Sequence, residues 1–204
     1  MKIIAIISQK GGAGKTTLAL HLAVAAERDN QSTAIIDLDP QASATGWGDS
    51  RAAETPAVVS AQASQLQKVL DAARTSGADF VILDTAPHSE SAALAAARAA
   101  DFILIPCRAA ILDLRAISDS IDLAKLAQKP AAVVLNAVPP RGSLAQDAEQ
   151  AVMGYGVPVV PIHIGQRAAF QHALTAGQTA QEYEPGGKAA EEMTQLYQWL
   201  VQRV

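Results

Sequence analysis

The sequence predicts a doubly wound α/β fold, a mostly parallel sheet with helices on both faces. Short apolar runs recur at 3–7, 33–36, 80–83, 102–105, 131–135 and 157–160, with a shorter candidate at 57–59. They are apolar throughout instead of alternating, as strands buried on both faces must be. Helical spacing fills the intervals 15–27, 61–75, 89–98, 114–127, 144–153 and 189–201, and strand–helix alternation of this kind calls for parallel pairing through crossovers. Ligands of such folds bind beyond the carboxyl ends of the strands. Here 10–17, 37–41, 84–87 and 106–113 all follow apolar runs and so converge on one edge of the sheet.

The first run leads into Lys10-Gly11-Gly12-Ala13-Gly14-Lys15-Thr16-Thr17. Glycines at these positions let the backbone curl until its N–H groups point inward at phosphate oxygens. The helix starting near Lys15 adds the positive end of its dipole. Lys15 reaches the β- and γ-phosphates, and the Thr16 hydroxyl coordinates Mg²⁺. The ordinary pattern G-x-x-x-x-G-K-[ST] puts its first glycine where Gln9 stands; the loop follows K-G-G-x-G-K-[ST] instead, with Lys10 as an added charge.

The second run ends in Asp37-Leu38-Asp39-Pro40-Gln41. If the strand continues, the two carboxylates share a face, one for the metal shell and one for the attacking water. Gln41 suits a contact to the γ-phosphate or to a partner subunit. The stretch 47–55 is polar and rich in small residues, and mobility is expected there. The run 80–83 ends at Asp84, a carboxylate placed for a metal or, alternatively, for capping the next turn. The Ala-rich stretch 92–100 reads as close helix packing. Cys107, beside Pro106, reads as a small core residue. The run 131–135 ends at Asn136, whose amide matches the donor–acceptor edge of adenine or else forms a turn before Pro139-Pro140.

Taken together, 10–17, 37–41, 80–87 and the helix entry 186–192 resemble the ParA/MinD family of deviant Walker ATPases. The short length and 106–113 most resemble its small plasmid-partition members. The resemblance implies a P-loop NTPase occupying 1–204 as one domain and hydrolysing ATP with Mg²⁺. It implies that Asp39 positions or activates the water, that Asp37 and Asp84 serve the metal with Thr16, and that Asn136 contacts adenine. Lys10 resembles the signature lysine that reaches across a two-fold interface to the partner's phosphates, so the implied active form is an ATP-dependent homodimer. Non-specific DNA and a ParB-type centromere-binding or adaptor protein are the implied partners, for partition of DNA or, alternatively, for positioning a protein cargo or a membrane-associated complex. Arg141 and Arg167 fall roughly where the family carries DNA-contacting residues, with Lys188 and Arg203 as further cations; each reads equally as a solvated surface charge.

The bulk numbers bound these readings. A chain of 204 residues builds a full core without staples. Half of it is apolar and only 4% aromatic, so small aliphatic residues must fill the interior. A net charge of −4 excludes a wholly basic nucleic-acid surface, though not a local patch. One cysteine excludes an intramolecular disulfide framework and is too few to share an iron–sulfur cluster between subunits. The final helical stretch carries two glutamates and one arginine, too poorly cationic for a membrane-surface anchor, so it is expected to pack on the core. No apolar run reaches membrane-spanning length and no signal peptide is evident. The expectation is a cytoplasmic protein, nucleoid-associated when ATP-bound. The four histidines show no metal spacing, and His88, beside the 84–87 turn, reads as a surface residue.

Overall fold

A computed structural model describes the backbone of residues 1–204 and every side chain except those of Ile111, Leu112, Leu114 and Arg115. In chain order its elements are β1 (Lys2–Ile6), α1 (Lys15–Arg28), β2 (Thr33–Asp37), α2 (Ser43–Ser50), β3 (Ala57–Ser60), α3 (Leu66–Thr75), β4 (Phe80–Asp84), α4 (Glu90–Ala99), β5 (Phe102–Arg108), α5 (Ile111–Ala127), β6 (Ala131–Asn136), α6 (Leu144–Met153), α7 (Ala168–Thr175), α8 (Ala180–Tyr183) and α9 (Lys188–Val201). The six strands pair in parallel in the order β3-β2-β4-β1-β5-β6.

Two cores explain why the strands are apolar throughout. Successive side chains of β1 go to opposite faces. Ile3 and Ala5 pack with Leu70 of α3, Ala96 of α4, Ile121 of α5 and Val152 of α6. Ile4 and Ile6 pack with Leu18 and Leu22 of α1, Trp47 of α2 and Leu196 of α9. The alanine-rich stretch is the close packing expected: Ala92, Ala93, Ala96, Ala97 and Ala100 are all buried. Cys107 is buried too, and burial pushes its thiol up to about 12. Helix α9 lays Met193, Leu196, Tyr197 and Leu200 into the second core. Among the described residues, no helix is long and apolar enough to cross a membrane.

The structure departs from expectation in several places. The run 157–160 forms no named strand, only a bridge from Val159 to Val133 with the Val160 N–H donating to the Val133 carbonyl at 2.8 Å. Pro158 and Pro161 lack the N–H donors a longer ladder needs. The sixth strand is the short run at 57–60, on the sheet edge. Helix α5 begins at 111 instead of 114, and a brief 3₁₀ turn at 63–65 precedes α3.

The stretch expected to be mobile is tied down. Trp47 is buried with its indole N–H donating to the Gln178 carbonyl at 3.3 Å. Arg51 grips both carboxylate oxygens of Glu182, at 2.8 and 3.2 Å, and also bonds the carbonyls of Thr55 and Gly177. Its guanidinium lies 4.5 Å from the Trp47 ring centroid. Glu182 in turn closes a capping box with Thr179 at the start of α8.

His21 is fully buried in α1. Its Nδ1 meets the Thr17 carbonyl at 2.7 Å, and its Nε2 accepts from the Ala180 N–H at 3.0 Å. That arrangement needs a neutral ring with its proton on Nδ1. Burial pulls its pKa down to about 4, against the Thr17 carbonyl and Glu182.

Candidate active site

The carboxyl ends of β1, β2, β4 and β6 bring the expected residues to one edge. The loop after β1 turns through Gly12 at φ 72° and Gly14 at φ 94°, left-handed conformations that favour glycine. A Cβ on Gly14 would lie 2.0 Å from the Asn136 Nδ2 atom. Gly14 stands at the N-cap of α1 and offers no side-chain cap, and the first turn carries no acidic residue. The opening amides of α1 are therefore left for an anion. Gly11 and Gly12 are exposed, with open space where a Cβ would stand. Ala13 is buried.

Asn136 braces this loop from the end of β6. Its Nδ2 donates to the Ala13 carbonyl at 2.7 Å and its Oδ1 accepts from the Ala137 N–H at 2.8 Å. One N–H and one lone pair of the amide remain beyond those two bonds.

Lys15 is buried, and its Nζ donates to the Lys10 carbonyl at 3.3 Å. Burial lowers its pKa, while Asp84 and Asp39 raise it. Lys10 faces elsewhere: its Nζ lies 3.2 Å from Asp113 Oδ1 on α5, with the lysine side chain 43% exposed and the aspartate 14%. The neighbouring Gln9 also meets α5, its N–H donating to Ser120 Oγ at 3.2 Å. Both positions that depart from the ordinary loop pattern are thus read by one helix.

The strand-end carboxylates divide in their environments. Asp37 and Asp84 are register partners on β2 and β4, and neither is exposed. Asp37 Oδ1 accepts from the Asp39 N–H at 3.1 Å; Oδ2 accepts from the Thr45 N–H and hydroxyl, each at 3.0 Å. Among the described residues, Asp84 has no hydrogen-bond partner on either oxygen. Burial pushes its pKa up to about 7; Thr16 opposes this without meeting the carboxylate at hydrogen-bonding geometry, and Asp37 adds to it. Asp39 is half-exposed, and its Oδ1 accepts from the Gln41 N–H at 2.9 Å.

A buried carboxylate with no protein donor, beside the Thr16 hydroxyl, fits a hydrated Mg²⁺, which takes one or two protein oxygens and keeps its waters. Among the described residues no group of three or more His, Cys, Asp or Glu side chains gathers as a metal cage. Asp37, also expected to serve the metal, has both oxygens engaged by Asp39 and Thr45, whereas Asp84 has no such partner among the described residues.

The cations expected at DNA differ in their surroundings. A bridge joins Val138, three residues before Arg141, to Gly165, two residues before Arg167, and Arg167 stands at the N-cap position of α7 without a side-chain cap bond. Glu192 accepts from Arg167 Nε at 3.0 and 3.1 Å and also pairs with its Nη2, and it shares a helix face with Lys188. Arg141 and Lys188 are exposed, whereas Arg167 already has an internal counter-ion. Arg203 lies apart from them, near Trp199 at the end of α9.

Sequence reasoning missed Thr45, which meets Asp37 eight residues before it, and Asp113, Ser120 and His21, which act through partners far along the chain. Thr45 had a usable signal: a hydroxyl early in a segment that follows a buried aspartate is a natural donor to it.

The family model described as the CobQ/CobB/MinD/ParA nucleotide binding domain matches residues 4–180. A Maintenance of carboxysome distribution protein A from Halothiobacillus neapolitanus is 29% identical over 204 residues, covering 95% of this chain and 93% of that protein. Its namesake from Gloeobacter kilaueensis is 31% identical over 194 residues, covering 94% and 88%. The chromosome-partitioning ATPase Soj of Thermus thermophilus is 25% identical over 238 residues, covering 98% and 96%. Among solved structures, the septum site-determining protein MinD of Pyrococcus horikoshii, complexed with Mg-ADP, superposes with a TM-score of 0.77 at 19% identity, covering 98% of this chain and 95% of that one. Apo McdA of Cyanthece does so at 0.81 and 17%, covering 98% and 99%. The likeness to these structures is one of fold. The chain belongs to the CobQ/CobB/MinD/ParA family and is an ATPase of its ParA/MinD type.

Proposed function

We propose that this ParA/MinD-type ATPase is an ATP-gated dimeric switch that distributes a cargo over non-specific DNA, with residues 1–204 acting as one domain. The observation that carries this reading is the opposed aim of two lysines in one loop. Lys15 is buried under its own loop, whereas Lys10 is half-exposed, turned toward Asp113, and adds nothing to the cradle beside it. A cation so placed serves a second copy, much as an arginine finger supplied in trans stabilises a phosphoryl transition state.

The remaining roles follow from position. The amides of 11–17 and Lys15 hold the phosphates of ATP. Thr16 and Asp84 would hold Mg²⁺, which supplies charge neutralisation on the phosphates. Asp39, turned by its Gln41 contact, orients the attacking water, and Asp37 keeps Asp39 in place through the Asp39 N–H. Gln41 faces the γ-phosphate or the second subunit. The free N–H and lone pair of Asn136 suit an adenine edge.

The names carried by the Halothiobacillus and Gloeobacter relatives support a protein assembly as cargo. Partition of DNA with a ParB-type partner is the second reading, favoured by Soj and by a chromosome partitioning protein ParA of Myxococcus xanthus that is 27% identical over 201 residues. In both, Arg141, Lys188 and, once released from Glu192, Arg167 contact DNA phosphates, and the ATP-bound form is nucleoid-associated. No stable membrane association belongs to either.

Sedimentation velocity with ADP and with a non-hydrolysable ATP analogue tests the switch. The analogue should double the mass of the wild type and leave Lys10→Ala monomeric. A wild type that stays monomeric with the analogue would sink the proposal.

A further inference from the structure

At the end of the sheet opposite the nucleotide loops, where β5 and β6 begin, lies a groove of about 730 Å³. Prolines and aliphatic side chains form its floor, among them Pro130 and Pro158, with Trp199 at one side. Lys125, Lys129 and Arg203 line it, and among the described residues no carboxylate does. The chain carries 20 acidic residues against 16 basic ones. An acid-free cationic concavity therefore runs against its overall balance.

These cations are available and, in one case, preset. Among the described residues no carboxylate pairs with Lys129 or Arg203, and Lys125 has only a 3.9 Å exposed contact to Asp122, a kind of pair worth little. Arg203 lies over Trp199, its guanidinium carbon 3.8 Å from the ring centroid, and its Nη1 donates to the Trp199 carbonyl at 2.7 Å. Trp199 itself is held edge-on against Phe102, with centroids 5.9 Å apart. The guanidinium fork is thus immobilised with most of its N–H groups still open, which removes part of the ordering cost of binding.

We propose that this groove docks an acidic peptide segment of a partner protein, one that alternates carboxylates with apolar side chains. The cations take the carboxylates, and the floor and Trp199 take the apolar groups. Duplex DNA fits less well: its phosphates lie on a convex surface, it has no side chain to seat on the floor, and three cations release few counterions. The groove is remote from the nucleotide loops, at the opposite ends of β5 and β6. This assignment stands apart from the DNA and dimer readings, and it moves Arg203 from the DNA-facing candidates to a protein-facing role.

The test uses the full chain and a fluorescein-labelled peptide repeating Glu-Glu-Leu-Pro, read by anisotropy, beside a labelled random duplex. The wild type should bind the peptide, more weakly as salt rises. The double variant Lys129→Glu/Arg203→Glu should lose about tenfold or more in affinity and gain binding to the same repeat with Lys in place of Glu. Duplex binding should not change. Far-ultraviolet circular dichroism checks that the variant is folded; Lys129→Gln is the milder substitute, and quenching of Trp199 emission by unlabelled peptide reads the contact in a Trp47→Phe background. Equal peptide binding by wild type and double variant, no binding by the wild type, or a loss confined to the duplex would overturn the proposal.

Discussion

Asp37 and Asp84 stand side by side at the ends of neighbouring strands, in register and equally buried, yet they do opposite things. The first accepts three hydrogen bonds and organises the chain after it, fixing Asp39 and the opening turn of α2. The second accepts none, and burial lifts its pKa to about 7. A buried charge without donors is costly, so it persists where a cation completes it. The comparison separates a carboxylate that shapes the chain around it from one that the protein leaves without donors, although residue type and strand position are the same.

The largest effect expected is on Asp84. Asp84→Asn should lower Mg²⁺-supported phosphate release by about 10²–10³-fold, the scale seen when a charge-stabilising group is lost. In EDTA the same variant should melt no lower than the wild type. If it keeps its Mg²⁺-dependent turnover, the distinction between the two carboxylates collapses. Next, Asp37→Ala should lower stability by about 3 kcal/mol in urea titrations, since hydrogen bonds to a charged group are lost and their donors stranded. That loss should be the same with or without Mg²⁺; a loss confined to the metal-bound form would make Asp37 a ligand after all.

The smallest effect is a pH slope in metal-free protein. Asp84 keeps its proton when folded and releases it near 4 when unfolded. Its contribution is therefore complete below about 4 and lost as pH rises through about 7. His21 runs the other way: with its folded pKa at about 4 against 6.5 unfolded, its contribution is present above 6.5 and lost as pH falls through 4. Asp84→Asn should remove the first slope and leave the second. Its stability relative to wild type should then rise with pH across this window. Parallel melting curves for the two proteins from pH 4 to 7 would show that Asp84 does not titrate as described.

Much of the nucleotide edge was legible because its chemistry is local. The glycines at 11, 12 and 14, Lys15 and Thr16 must be contiguous to wrap a phosphate, and strands buried on both faces must be continuous apolar runs. What stayed hidden depends on distant partners. The hydrogen bonds of Asp37 stayed hidden because nothing in Asp37-Leu38-Asp39 announces that Thr45 will bond its second oxygen. The polar, small residues of 47–55 read as loose chain, and Trp47 and Arg51, docking on residues 177–182, tie that stretch down. The run 157–160 had the hydrophobicity of a strand, but its prolines remove the donors. Arg167 looked like a free surface charge because Glu192 lies 25 residues on.

The contacts of His21 and Arg51 have one further consequence. The phosphate loop's helix is joined through His21 to Ala180, the Ala180 turn through Glu182 to Arg51, Arg51 through α2 to Thr45, and Thr45 to Asp37 beside Asp84. This is an open chain of hydrogen bonds that runs from the phosphate loop's helix to the strand end carrying Asp37. The short helix α8, to which neither sequence motif nor phosphate chemistry points, is its middle link: it braces the loop's helix on one side and α2 on the other.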